Sequence, residues 1–249
     1  MEKDPRKEPV LIKPGAFNRK LPVQEKVLLA ILPPYVLSAR LMAGSNWRKH
    51  RLDWGGLWNV PKRKGGFSIA GPCIGAPSAV TMLETLIANG CKQVIAVGCC
   101  GSLTHLVKIG DIVIPRDCLS EEGVSAHYYP SLFPPTASEK LFSALVGTAS
   151  SRCTKYYQGT IWTTDAPYRE THEKVKRYSQ QGILGVEMEM SALFTVGRFR
   201  GIEIAGVLAV SDELSSLTWK PGFLKPNFLL ASKLTIQIAM ETLKELKAN

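Results

Sequence analysis

The chain has 249 residues, with 31 Lys or Arg against 21 Asp or Glu and a formal net charge of +10. Its 45% apolar and 21% charged content is typical of a globular protein, and no apolar run reaches the roughly 18 residues that a membrane-spanning helix needs. The basic residues are spread out and lack interleaved aromatic residues, so the charge favours anionic small-molecule ligands over nucleic acid.

The first half of the chain alternates strand and helix patterns after an irregular arm over 1–22. Apolar periodicity, prolines and Asn-Gly turns predict five elements or pairs of elements in this half. They are a strand over 27–31, a helix over 35–43, a hairpin of strands over 54–60 and 66–70, a helix over 78–88, and a strand over 93–97.

The second half continues this alternation. Its predicted elements are a strand over 111–114, a Pro- and Ser-rich loop over 119–135, a helix over 137–149, a strand over 154–163, a helix that begins near Glu187, a strand over 204–210, and a helix over 227–247. The order predicts a single α/β domain over 23–249, with a central mixed, mostly parallel sheet flanked by helices. Ligands bind such sheets at the carboxyl ends of the strands.

Six cysteines occur, at positions 73, 91, 99, 100, 118 and 153, with no CxxC pair. This spacing predicts reduced thiols, mostly in the core, and no structural zinc site. The mixed-charge start, Met1 to Lys7, has no apolar segment behind it, which favours a cytoplasmic protein over a secreted one.

Asp212 is the candidate general acid. A general acid donates a proton to a leaving group. A carboxylic acid at the end of a strand, desolvated by a bound ligand, can keep its proton near neutral pH. The alternative is that Asp212, after Ser211, only caps a following helix.

Glu189 is the candidate for holding a polyhydroxylated ligand such as a sugar, because a carboxylate accepts hydrogen bonds from two neighbouring hydroxyl groups. Met188 is predicted to pack under the sugar and Glu187 to lie beside it. The alternative is a first-turn glutamate that interacts with the helix dipole, and Glu187 fits that alternative better than Glu189 does.

Five short motifs, in this order, resemble those of the nucleoside phosphorylase family, which contains purine nucleoside phosphorylases, uridine phosphorylases and methylthioadenosine nucleosidases. They span 71–77, 97–103 with 107–113, 123–128, 186–189, and 210–212. The resemblance implies that Asp212 protonates the base and that Glu189 binds the sugar. It further implies that the chain forms homo-oligomers, dimers or hexamers, without metal or organic cofactor.

A phosphate subsite is predicted where small residues present backbone N–H groups, as anion nests do. Its candidates are Gly75, Gly98, Cys99, Cys100, Gly101 and Ser102. A plain strand-ending turn is the alternative for this stretch. The chain departs from the phosphorylases at Ala96 and at Pro33-Pro34, where those enzymes carry an Arg and a Gly-Asp-Pro-x-Arg turn. It also lacks an early glutamate that resembles the water-activating one of the nucleosidases.

Four loop residues, His127, Tyr128, Tyr168 and Arg169, are candidates for contacts with the base or sugar, and Tyr168 could stack on a base. Ser211, beside Asp212, is a further candidate for substrate contact. The segment 163–170 corresponds to the base-contacting part of the family. It lacks the Gln-x-Arg pair of uridine phosphorylases, and Asp212 replaces their non-acidic residue. Both differences favour a purine-like base.

The resulting hypothesis is a nucleoside phosphorylase that takes a nucleoside and inorganic phosphate as co-substrate and yields a free base and a pentose 1-phosphate. A nucleosidase that uses water is the second enzymatic hypothesis. A nucleoside-binding protein without catalysis is the third. Metal, nucleic acid and membrane have no expected role.

Overall fold

The computed structural model describes residues 9–16, 20–45, 49–52, 55–129, 134–152 and 155–246. Ten strands within these residues form one sheet. They are β1 Lys26–Ala30, β2 His50–Arg51, β3 Gly56–Asn59, β4 Ser68–Gly71, β5 Gln93–Ser102, β6 Ile112–Glu121, β7 Tyr157–Thr164, β8 Gly185–Glu187, β9 Glu203–Glu213 and β10 Lys220–Pro221. The helices are α1 Pro33–Ala43, α2 Ala76–Ala88, α3 Ser125–Tyr128, α4 Glu139–Arg152, α5 His172–Gln180, α6 Met190–Arg200 and α7 Pro226–Glu245.

The sheet order is β10-β9-β6-β7-β8-β5-β1-β4-β3-β2, and β9 also pairs with β5. That extra pairing closes β5, β8, β7, β6 and β9 into a ring, from which β1, β4, β3 and β2 extend. The long ladders, β5 with β9 and β6 with β7, are parallel, whereas the outer pairs β2–β3 and β9–β10 are antiparallel. This arrangement confirms the predicted single α/β fold with a mixed central sheet.

The core lies on both faces of the sheet, because the central strands are buried on both sides. All five residues of β1 are buried; Val27 and Leu29 pack into the cluster shared with α2 and α6, and Leu28 and Ala30 into the cluster shared with α1, α4 and α7. A smaller cluster around Trp162 packs against α5. The helices therefore flank the sheet as the sequence predicts.

Most predicted elements are confirmed, with four corrections. The strand predicted over 93–97 continues to Ser102, and the strand at 111–114 continues to Glu121, so the first residues of the predicted loop over 119–135 are β-structure. The helix predicted to begin near Glu187 begins at Met190, because Glu187 ends strand β8. The sequence prediction missed β2, β8, β10, α3 and α5, and α3 lies within the segment predicted as a loop over 119–135.

Some predictions fall on residues outside the described ranges: 1–8 and 17–19 of the arm, 54 in the hairpin, 130–133 in the loop, 154 in the strand, and 247 in the last helix. The described part of the arm, 9–16 and 20–22, forms no helix or strand. The helices of the described ranges include none that is both long and apolar enough to cross a membrane.

Candidate active site

A cavity of about 550 Å³ opens at one end of the strand ring. Its walls come from the residues after β1, the last part of β5, β8 with the start of α6, the end of β9, a 3-10 turn over Pro167–Arg169, and the segment 214–223. The carboxyl ends of β1, β5 and β9 thus meet at this cavity. This is the position that the sequence predicts for a ligand crevice.

A bulge positions the Asp212 side chain. In the parallel β5–β9 ladder Cys100 pairs with Val210 but Gly101 pairs with Asp212, so Ser211 is an extra residue in β9. A bulge of this kind bends a strand and changes the direction of the side chains that follow. A Cβ atom at Gly101 would lie 2.9 Å from Asp212 Oδ2, so glycine leaves the space that the carboxyl group occupies.

The Asp212 carboxyl group is 9% exposed and has a donor on each oxygen. The Ser211 hydroxyl lies 2.6 Å from Oδ1, and the Trp219 indole N–H donates to Oδ2 at 3.0 Å. Burial raises the pKa of Asp212, and the two hydrogen bonds partly offset this rise. Such a group can hold a proton at a higher pH than an exposed aspartate does.

Glu187 caps the start of α6. Its Oε2 accepts hydrogen bonds from the backbone N–H groups of Glu189, at 2.7 Å, and Met190, at 2.8 Å, while its Oε1 accepts from the Thr163 hydroxyl. The side chain is only 5% exposed, and burial raises its pKa. The alternative considered for Glu187, a residue of the first helical turn, is wrong in position: Glu187 ends β8 and is buried. Its carboxyl group nevertheless caps α6 from outside the helix, and it also lines the cavity.

Glu189 connects two helices at the cavity wall. It is the N-cap residue of α6 and is 5% exposed, and its Oε1 accepts from the N–H group of Gly75 at 2.6 Å. Gly75 is the N-cap residue of α2 and has φ +83°, a conformation that favours glycine. Burial and the adjacent Glu187 raise the pKa of Glu189 to about 8.

The cavity is acidic even though the chain as a whole is basic. Four carboxyl groups line it, from Glu170, Glu187, Glu189 and Asp212, and no Lys, Arg or His side chain is among the described residues of its wall. Burial and the nearby Asp212 raise the pKa of Glu170 to about 7. Near neutral pH the cavity therefore holds several carboxyl groups whose protonation a ligand can change.

The predicted phosphate cradle has a different local structure from the one expected. Gly98 to Ser102 are strand rather than turn, paired with β9 throughout and with β8 at Gly101 and Ser102. Cys99, Cys100 and Gly101 line the cavity, whereas Gly98 and Ser102 are buried outside its wall. The β1 pairing ends at Val97, so an edge of β5 stays open between β1 and β8. Phosphate binding at this edge stays a prediction.

The start of α1 also borders the cavity, through Ile31 and Leu32. A helix N-terminus usually offers free N–H groups to an anion. Here the first two residues are Pro33 and Pro34, which have no N–H group, and the N–H groups of Tyr35 and Val36 both donate to the carbonyl oxygen of Leu32. This helix start consequently has little to offer an anion.

The other predicted contacts divide into two groups. Met188, Ser211 and Tyr168 line the cavity, and Tyr168 is fully exposed at its mouth. His127 in α3 and Arg169 in the 3-10 turn are exposed and lie outside the described wall of the cavity. Tyr128 also lies outside that wall; it is half-buried, and its hydroxyl group donates to Glu84. Gly75 contributes through its hydrogen bond to Glu189 rather than through the wall.

Several residues of the wall were not singled out from the sequence. Ile31, Leu32, Leu214, Trp219 and Phe223 lie outside the five motifs and the segment 163–170, and Ile74, Pro167, Glu170 and Val186 lie within them without having been named as candidates. Trp219 follows Asp212 by seven residues and reaches it because β10 pairs back on the end of β9. The available signal was an aromatic residue shortly after Asp212. The short strand β10, which brings that residue back to Asp212, has too few residues to give a recognisable strand pattern. The described residues contain no group of three or more His, Cys, Asp or Glu side chains arranged to hold a metal ion.

The buried carboxyl groups of Asp212 and Glu189 thus line one cavity at the strand ends. A family profile described as the phosphorylase superfamily matches residues 62–244. The chain therefore belongs to the phosphorylase superfamily, whose members include nucleoside phosphorylases.

Individual relatives agree with this assignment. A DeoD-type purine nucleoside phosphorylase of Bacillus cereus is 32% identical over 149 residues, 59% of this chain and 63% of that protein. A DeoD-type enzyme of Clostridium novyi is 31% identical over the same length, with 64% of that protein covered. The match thus spans less than two thirds of these curated relatives.

Solved structures show the same fold over nearly the whole chain. A uridine phosphorylase from Vibrio fischeri superposes with a TM-score of 0.81 and 27% identity, covering 90% of this chain and 94% of that one. A purine nucleoside phosphorylase from Toxoplasma gondii, in complex with immucillin-H, has a TM-score of 0.81 at 22% identity, covering 95% and 96%, and shows the fold alone.

Proposed function

We propose that this protein cleaves the N-glycosidic bond of a purine-type nucleoside, with phosphate as the nucleophile, to give a free base and a pentose 1-phosphate. The observation that carries this proposal is Asp212: a buried carboxyl group with a raised pKa that shares a cavity with the buried carboxyl group of Glu189. The names of the curated relatives, purine nucleoside phosphorylases, support the choice of base.

In this reaction the bond between C1′ and the base nitrogen breaks, and its electron pair goes to the base. Asp212 gives its proton to a ring nitrogen of the departing base, which is general acid catalysis and contributes about 10²–10⁴ in rate. Glu189 hydrogen-bonds the sugar hydroxyl groups, and Met188 packs against the sugar. A phosphate oxygen then bonds to C1′.

Hydrolysis is the second candidate, and the cavity wall favours it. Phosphate binding usually relies on Arg or Lys side chains or on free N–H groups at a helix start. The described wall contains four carboxyl groups and no basic side chain, and Pro33 and Pro34 remove the N–H groups at the start of α1. Water carries no charge, so it needs no basic side chain and is not repelled by the carboxyl groups of the wall.

Base release from a panel of purine and pyrimidine nucleosides, with and without phosphate, tests both candidates. Release that depends strictly on phosphate supports the phosphorylase, and release without phosphate supports the hydrolase. No release from any nucleoside would refute both and leave a binding protein without catalysis. The Asp212→Asn variant, assayed in parallel, should bind nucleoside but turn it over far more slowly.

We also propose that the chain forms a homo-oligomer. Exposed leucines support this: Leu37 and Leu41 lie four residues apart on α1, and Leu229 and Leu230 lie on α7, which packs against α1. Sedimentation equilibrium of the full chain measures the state directly, and a monomer at micromolar concentration would contradict the proposal.

A further inference from the structure

Glu170 differs from the other carboxyl groups of the cavity in its hydrogen bonds. Asp212 has donors in Ser211 and Trp219, and both Glu187 and Glu189 accept backbone N–H groups. Across the described ranges, no side chain or backbone group donates to the carboxyl group of Glu170 in this way. A partly buried acceptor without a donor is energetically costly, so Glu170 has an unused acceptor that a ligand can satisfy.

The backbone holds Glu170 in place. Its own N–H group donates to Pro167 at the end of the 3-10 turn, and the N–H group of Thr171 donates to Arg169. Thr171 is the N-cap residue of α5, and its hydroxyl accepts from the N–H group of Lys174. The carboxyl group therefore projects from a fixed turn, and a fixed donor or acceptor is what specific recognition needs.

Glu170 also lies near the general acid. Both residues line the same cavity, and the negative charge of Asp212 acts on Glu170 strongly enough to raise its pKa, in addition to the larger effect of burial. A base that receives a proton from Asp212 therefore lies in the same cavity as Glu170, and we place the edge beside the protonated nitrogen against Glu170. In a purine that accepts the proton at N7, the adjacent group is the substituent at C6.

We propose that Glu170 hydrogen-bonds the exocyclic group next to the ring nitrogen that Asp212 protonates. This contact selects bases with an amino group at that position, that is, 6-aminopurines over 6-oxopurines. This inference rests on the proposed cleavage of purine-type nucleosides, and it adds the residue that determines which purine base the site prefers. Above about pH 7 Glu170 is ionised, and its carboxylate accepts from an amino group but repels the lone pairs of a carbonyl oxygen. A site built to accept a hydrogen bond discriminates strongly against a ligand that lacks the donor.

The test compares adenosine with inosine in the wild-type protein and in Glu170→Ala and Glu170→Gln variants. Glu173→Gln is the matched control, since Glu173 is an exposed residue of α5 outside the cavity wall. The wild-type protein should have the higher kcat/KM for adenosine. Glu170→Ala should lower the adenosine value by about tenfold or more and the inosine value by less than about threefold. Glu170→Gln should lower the ratio of kcat/KM for adenosine to kcat/KM for inosine, and the control variant should leave this ratio unchanged.

A binding measurement keeps this inference separate from the catalytic proposal. Calorimetric titration with adenine and with hypoxanthine needs no turnover, so it reports on Glu170 even if no nucleoside is cleaved. Tighter binding of adenine that Glu170→Ala abolishes supports the inference. Equal losses for the two bases, tighter binding of hypoxanthine, or no binding of either base to the wild-type protein would overturn it.

Discussion

Replacing Glu187 by alanine should destabilise the protein much more than replacing Glu189. Glu187 is the acceptor for the N–H groups of Glu189 and Met190 and for the hydroxyl of Thr163, all in buried surroundings. A buried donor left without an acceptor costs about 1–3 kcal/mol. Removing a buried carboxyl group offsets part of that cost, so we expect a net loss of about 3 kcal/mol in the free energy of unfolding.

Glu189→Ala is the matched comparison, because it removes a carboxyl group two residues away that accepts from the single N–H group of Gly75. Its expected cost is about 1 kcal/mol. Urea unfolding followed by tryptophan fluorescence measures both, since Trp162 is fully buried and next to Thr163. The kcat/KM of Glu189→Ala should fall without a comparable loss of stability.

Equal losses in the free energy of unfolding for the two variants would refute the role of Glu187 as a helix cap. A loss of less than about 1 kcal/mol in Glu187→Ala would refute it as well. Far-UV circular dichroism of each variant before unfolding provides the control for gross misfolding. Residual activity of Glu187→Ala at low temperature is expected to be poor, because α6 positions Glu189.

Three further predictions concern the acid and the buried pair. Asp212→Asn should lower kcat by about 10²–10⁴ and leave the Kd for nucleoside within a few-fold, as single-turnover and titration data would show; an unchanged kcat would rule out proton donation. Trp219→Phe removes a donor to the carboxylate form, so the pKa of Asp212 rises and the alkaline limb of the pH–rate profile moves up, by at most about one unit; a downward shift would contradict the role of Trp219. The raised pKa of Glu189 means that its contribution to stability is present below about pH 4.3 and is lost as pH rises towards 8. Relative to Glu189→Gln, the wild-type free energy of unfolding should therefore fall over that pH window, by at most about 1.4 kcal/mol per pH unit. If the urea midpoints of the two proteins change with pH in parallel, this effect of Glu189 is excluded.

Local patterns predicted the fold well where they were long and apolar. The run over 27–31 and the amphipathic helix over 227–247 gave the expected elements within a few residues. The elements that were missed are short or polar: β8 has three residues, and α5, over His172–Gln180, has only Val175 and Tyr178 buried. Their structure depends on pairing and packing with distant segments, which a local pattern does not contain.

The site was predictable at residues whose chemistry is unusual for their position. Asp212 at a strand end and Glu189 before an apolar helix are such residues, and the structure brings both to one cavity. Trp219 and Glu170 enter the same cavity from separate loops, and only the closed ring of strands brings them there. His127 and Arg169 were selected from segments that resemble those of the family, and both lie outside the described cavity wall.

The bulge at Ser211 makes the direction of the acid depend on the number of residues in β9 as well as on their identity. Deleting Ser211 would give the β5–β9 ladder a regular register and move the carboxyl group of Asp212 to a different face of the strand. The core and the two long parallel ladders would remain. A search for inactive descendants of this fold should accordingly look for single-residue gaps at this point, because a scan of substitutions alone would pass over them.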